Sequence, residues 1–223
     1  MSARGKERDG IVVIGLGRFG WHLTDSLVKL GHDVLAVDRS AEQVQKWSSQ
    51  LDRVAQADGT DEDALRQLGV ADLRRAVVAI GASVEGSVLT VLALAELGVP
   101  QIWARATSGQ HAKILSSVGA HHVIFPEAET GERVAHLIVS NLLDFVEFGD
   151  AFAIAKLRVP AALAGQTLGE KQLWDRYGVR VIGIKSPDEK RFRYVSDGLE
   201  LRQESTLVVE GTIDQIQTFS ALS

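Results

Sequence analysis

Four β-branched residues, Ile11-Val12-Val13-Ile14, run directly into Gly15-Leu16-Gly17-Arg18-Phe19-Gly20. Such a run reads as a buried strand, and the spacing Gly15-x-Gly17-x-x-Gly20 predicts a sharp turn from that strand into a helix. Gly15 suits the tight turn, Gly17 lets a phosphate approach the backbone, and Gly20 lets helix and strand pack closely. The free N–H groups and positive dipole end of a helix starting there favour an anion. A second strand, Val34-Leu35-Ala36-Val37-Asp38, ends in a carboxylate eighteen residues after Gly20, placed to accept hydrogen bonds from ribose hydroxyls. Strand, glycines, helix and acidic strand end in register predict a mononucleotide or dinucleotide site, where a lone glycine motif would not.

The same alternation continues. Strands are expected at 11–15, 34–38, 53–56, 76–80, 101–105 and 122–125. Helices are expected at 19–30, 41–50, 61–68, 84–97 and 109–118. Gly31, Gly69, Gly98 and Gly119 punctuate helix ends. Ser40 and Thr60 stand where N-caps belong, with Gln43 and Asp63 three residues on. This is the pattern of a Rossmann-like, doubly wound parallel sheet with right-handed crossovers. After Pro126 the pattern changes. Residues 127–143 read as one long helix with Val134, Leu137, Ile138, Leu142 and Phe145 at helical spacing, ending near Gly149-Asp150. Beyond it, strands at 153–159, 179–185, 192–195 and 206–210, and helices at 167–177 and 213–219, read as a smaller α+β lobe. Leu168 and Leu173 are expected to point inward. The divisions are a tail (1–10), a nucleotide-binding domain (11–126), a crossover helix and hinge (127–149) and a C-terminal lobe (150–223). A lobe of about 70 residues buries little surface alone, which favours packing against another copy.

Several function classes are excluded or disfavoured. With 24 basic and 29 acidic residues the net charge is −5, and nucleic acid is not the expected partner. No cysteine is present, so thiolate catalysis and zinc–thiolate sites are excluded. The first ten residues read as a solvated tail rather than a signal peptide. Apolar stretches such as 88–95 fall far short of the roughly 20 residues of a spanning helix. A cytoplasmic protein is expected. No Gly-x-Ser-x-Gly, HExxH or nucleophile–base arrangement occurs, and the last 70 or so residues hold no histidine. A dehydrogenase needs a substrate domain with a base. The expected role is therefore regulatory, not enzymatic, with an NAD-dependent oxidoreductase as the alternative.

Single residues have a functional and an ordinary reading. Arg18, inside the glycine loop, points to phosphate or a neighbouring subunit; the ordinary reading is a solvated side chain. Arg39 and Ser40 follow the ribose carboxylate, and Phe19 lies within the loop. Ala79-Ile80-Gly81 and Arg105 end two strands at the edge where such sheets bind ligands; Arg105 reads as a phosphate ligand or a surface ion pair. Asp58 reads as an adenine contact or a helix cap. Glu127 reads as a helix-dipole carboxylate or a ligand for a hard cation. His121 and His122 alternate faces of a strand and do not converge on one metal. The four tryptophans read as packing residues.

These residues carry a resemblance. Residues 13–20, 31–38, 77–81, 102–106 and 119–127, with Tyr177-Gly178-Val179, 181–184 and 207–209 more loosely, resemble the KtrA/TrkA-type regulatory subunits of bacterial potassium transport, with RCK (KTN) domains. The resemblance implies homodimers forming an octameric ring beneath a KtrB/TrkH-type membrane subunit, opened by ATP and closed by ADP. Ligand preference among ATP, ADP and NAD(H) stays open, because all share the adenosine-ribose-phosphate half. It implies phosphates on Gly15, Gly17 and Gly20, ribose on Asp38, and Arg18 reaching the γ-phosphate held by the partner. Arg105 stands where the family usually has Lys, and Glu127 matches the carboxylate that binds Mg²⁺, Ca²⁺ or Na⁺ beside ATP. Relatives that bind cyclic di-AMP use an Arg and an Asn where this chain has Trp174 and Arg180. That departure counts against cyclic di-AMP here.

Overall fold

The computed structural model describes residues 10–149, 151–167, 170–195, 198 and 200–222. The readings for residues 1–9 of the tail, Asp150 and Leu168 lie outside the described residues. The chain divides into two units, one ending at Glu127 and the other beginning at Ala128.

In the first unit, β1 (Ile11–Ile14) is buried at every position, which is why its sequence is an unbroken apolar run rather than an alternation. Val12 and Ile14 pack on one face with Leu35, Val37, Val78 and Leu94. Ile11 and Val13 pack on the other with Phe19, Leu23 and Leu27. The sheet is completed by β2 (Val34–Asp38), β3 (Val54–Gln56), β4 (Arg75–Val78), β5 (Gln101–Arg105) and β6 (His122–Ile124). All neighbours are parallel, in the order β3-β2-β1-β4-β5-β6. The order reverses at β1, and the β1–β4 boundary is the switch point where such sheets place their ligands. Between the strands run α1 (Arg18–Lys29), α2 (Ala41–Trp47), α3 (Glu62–Gln67), α4 (Val84–Glu96) and α5 (Gly109–Ser117). Trp21 and Trp47 stack with ring centroids 3.5 Å apart and planes within 6°. The cap of α3 is Asp61, whose carboxylate accepts from Ala64 N at 3.0 Å. Thr60, the expected cap, bonds Asp58 instead.

The helix α6 (Pro126–Val139) crosses the division between the units, and here the expectation fails. Residues 127–143 are not one helix. The helix stops at Val139, and Leu142–Phe148 form a strand, β7. Ser140 makes the break: its hydroxyl donates to His136 O at 2.6 Å and accepts from Leu142 N at 3.4 Å. The helical spacing of Leu142 and Phe145 has another cause. The β7 register slips between Leu142 and Asp144, a bulge at Leu143. One extra residue turns a spacing of three into two inward positions on the same strand face. Leu142 and Phe145 are both buried in the core of the second unit.

That core is closed by an antiparallel sheet of β7, β8 (Phe152–Arg158), β9 (Arg180–Lys185), β10 (Arg193–Tyr194) and β11 (Thr206–Thr212), in the order β10-β9-β11-β8-β7. The helices α7 (Glu170–Tyr177) and α8 (Ile213–Ser220) contribute Leu173, Ile216 and Phe219 to it. Thr212 and Gln215 form a reciprocal capping box at the start of α8. Trp174 is 53% exposed and so is not the packing residue expected from composition.

Candidate nucleotide site

At the carboxyl ends of β1, β2, β4 and β5 lies a cleft of about 660 Å³. Its floor is the turn from β1 into α1. Gly15 takes φ +102°, a conformation side chains resist. A Cβ on Gly20 would run into the Gly15 carbonyl oxygen. Helix and strand therefore approach as closely as backbone allows.

The start of α1 differs from those of five other helices. Ser40, Asp61, Ser83, Ser108 and Thr212 each cap a helix through a side-chain oxygen. Gly17 caps α1 with no side chain, and the first turn carries no acidic residue. Nothing lies within 4 Å of where a Gly17 Cβ would sit. The first-turn N–H groups, which no helix satisfies internally, are left for an external anion.

Asp38 ties the loop to the sheet. Its Oδ2 accepts from Leu16 N at 2.6 Å and its Oδ1 from Ser40 N at 2.8 Å. A carboxylate has about four acceptor positions, so capacity remains for a ribose hydroxyl. On the same side Asp58 Oδ1 accepts from Thr60 N at 2.9 Å and Thr60 Oγ1 at 2.8 Å. These donors hold the Asp58 carboxyl below the usual carboxylate range.

Arg105 closes the other end. Its guanidinium lies so tightly over Gly81 that a Cβ there would meet Nη1. Its Nη2 and Nε donate to Glu127 Oε1 and Oε2 at 2.5 and 3.2 Å, a bidentate pair. Arg105 thus makes the ion pair, and its side chain also lines the cleft where the phosphate reading would place it.

Of the expected residues, Gly15, Gly17, Arg18, Asp38, Arg39, Asp58, Ala79, Ile80, Gly81 and Arg105 meet in the cleft. Phe19, Gly20 and Ser40 do not line it. Phe19 packs under β1, Gly20 fits helix to strand, and Ser40 caps α2. Glu127 joins only through Arg105. Sequence reasoning missed Gln43, Gly59, Thr60, Ser83, Glu85 and Thr90 as lining residues. The turn composition of Asp58-Gly59-Thr60 was the available signal for two of them. The α4 residues enter through tertiary packing.

At Glu127, where the resemblance implies a cation, the structure places the Arg105 guanidinium. Both carboxylate oxygens are held by Arg105, and no group of three His, Cys, Asp or Glu that would hold a metal exists among the described residues. His121 Nδ1 accepts from Ile102 N at 3.2 Å, while His122 stacks on Trp103. The two histidines are engaged separately.

A parallel sheet with its switch point under a glycine turn, an open helix start and an acidic second-strand end defines a nucleotide-binding α/β domain. Residues 11–126 match the TrkA-N domain and residues 152–223 the TrkA-C domain. The chain belongs to the family of TrkA-type (RCK) proteins. It is 35% identical over 208 residues to Ktr system potassium uptake protein C of Bacillus subtilis, covering 93% of this chain and 94% of that protein. It is 33% identical to Ktr system potassium uptake protein A of the same organism, covering 93% of each. Among solved structures, the GsuK RCK domain superposes with a TM-score of 0.65 at 23% identity, covering 96% of this chain and 47% of that one. This chain thus spans about half the length of that protein. The GsuK channel bound to NAD gives the same TM-score at 22% identity, with 96% and 39% covered. No helix among the described residues is long and apolar enough to cross a membrane.

Proposed function

We propose that this chain is the cytosolic, nucleotide-sensing regulatory subunit of a membrane potassium transporter, with ATP favouring the conducting state and ADP the closed one. The observation that carries this reading is the uncapped start of α1 facing a cleft with Asp38 on one side and Arg105 on the other. Near-full-length similarity to two Ktr potassium uptake proteins supports the transport role, and GsuK structures bound to NAD and to ADP support nucleotide as the ligand class. NAD(H) competes for the same adenosine half of the cleft.

ATP and ADP differ by one phosphoryl group, so a switch between them requires contacts that only the γ-phosphate makes. Arg18, at the cleft and without an ion-pair partner among the described residues, is the proposed reader, acting on nucleotide held by a partner copy. Val134, Ile138 and Val139 leave an apolar surface on α6, consistent with the proposed dimer and octameric ring at the inner face of the membrane.

Potassium flux through proteoliposomes holding a KtrB/TrkH-type membrane subunit and this chain tests the proposal. ATP should raise flux over ADP. Arg18→Gln should abolish that difference while leaving ADP affinity intact. A variant that still separates the two nucleotides as wild type does would refute the role of Arg18, and flux indifferent to both nucleotides would refute the regulatory reading.

A further inference from the structure

We infer that the Arg105 guanidinium fills the place between carboxylate and phosphate that a bound metal ion would otherwise take, so that this chain binds adenine nucleotides without a metal. The inference rests on the nucleotide reading of the cleft. A carboxylate beside a polyphosphate is an electrostatic liability, and a cation between them removes it. Here that cation is built into the chain.

The geometry suits a planar, two-edged donor. The Nε–Nη2 edge of Arg105 holds both oxygens of Glu127. The Nη1 atom lies against Gly81, a lining residue, and Gly81 has no side chain to keep it away. Arg105 is itself a lining residue with a side chain only 20% exposed, whereas Glu127 is 63% exposed and outside the lining. The order from outside inward is carboxylate, guanidinium, cleft. Lysine presents a single ammonium and cannot offer two separate edges in this way. With each oxygen of Glu127 accepting from Arg105, the charge that this carboxylate brings to the cleft edge is already met by a cation of the chain itself.

Calorimetry of ATP and ADP binding tests this, in sodium-free buffer with EDTA and again with Mg²⁺ or Ca²⁺. Wild-type affinities should agree within about threefold across these conditions, well under one decade of binding. Arg105→Gln should lose about tenfold or more in EDTA, the scale of a lost charge-assisted bond. Divalent cation should then restore binding, because the freed Glu127 and the phosphate oxygens supply hard ligands. Adding Glu127→Gln to Arg105→Gln should remove that restoration. Two results would overturn the inference. One is a wild-type affinity that Mg²⁺ or Ca²⁺ raises about tenfold, with Glu127→Gln erasing the rise. The other is a loss in Arg105→Gln that no cation repairs. The wild-type comparison needs no variant to fold. Failure of both nucleotides to bind wild type under every condition would refute the nucleotide reading itself.

Discussion

Asp38 braces the glycine turn and is the proposed ribose contact, and Asp38→Ala should separate the two roles. In the folded chain its carboxylate accepts from Leu16 N in the glycine turn and from Ser40 N beyond β2. Each bond to a charged acceptor contributes about 1.5–3 kcal/mol when its loss leaves a donor unmet. Both sites are only part-buried, so water replaces much of what the variant removes. The expected loss of folding stability is therefore about 2–3 kcal/mol rather than twice the single-bond figure. In the complex the same carboxylate would accept from ribose. Losing that bond should weaken ADP about 10- to 150-fold, from the same 1.5–3 kcal/mol. Asp38→Asn keeps one acceptor oxygen and turns an amide N–H₂ toward a backbone donor, so it should fall between wild type and Asp38→Ala in urea. Urea unfolding reads the first job and calorimetry with ADP reads the second. An unchanged urea midpoint in Asp38→Ala would refute the bracing argument. A destabilised variant that binds ADP within about twofold of wild type would remove Asp38 from the ribose contact.

Gly20→Ala should destabilise by about 1–3 kcal/mol in urea, because the new methyl meets the Gly15 carbonyl oxygen and stands 3.0 Å from Ala79 Cβ. Burial holds the His111 imidazole below its ordinary value of 6.5, so the folded state disfavours the imidazolium. Its contribution is full above about pH 6.5 and is lost as pH falls through the lowered value, so wild type should weaken as the pH drops below about 6.5 and His111→Gln should weaken less. Equal slopes for the two would contradict this. Ala151, at φ +59°, is the one non-glycine residue held in left-handed backbone among the described residues, and Ala151→Gly should raise stability by about 0.5–1 kcal/mol in thermal unfolding.

What was legible in the sequence was local chemistry. The run from Ile11 to Gly20 and the strand ending in Asp38 carry their signals within a few residues, and the cleft formed around them. Arg105 and Glu127 were each visible as charged residues at element ends, but their pairing spans 22 positions and depends on Gly81, so neither reading of either residue excluded the other. Phe19 looked like a loop residue because it lies between glycines; its ring follows the apolar face of α1 under β1 instead. Asp61 displaced Thr60 as a cap because adjacent capping residues compete, and Thr60 had Asp58 to bond. β7 was hidden because the bulge at Leu143 imitates helical period, and only pairing with β8 shows it. Thr90 and Glu85 reach the cleft from α4, whose placement depends on the whole sheet.

The claim at the centre of this account is that the open start of α1 is a phosphate site, and Gly17→Asp tests it most directly. Gly17 has φ −65° and ψ −173°, ordinary for an N-cap of any residue type, and free space at its Cβ position. Aspartate there would cap the orphan N–H groups and place a negative charge where the phosphate would lie. Paired urea unfolding and calorimetry of wild type and Gly17→Asp with ATP and ADP provide the measurement. The account predicts equal or slightly greater stability for the variant, and no nucleotide binding at concentrations that saturate wild type. A well-folded Gly17→Asp that binds ATP and ADP as wild type does would contradict it.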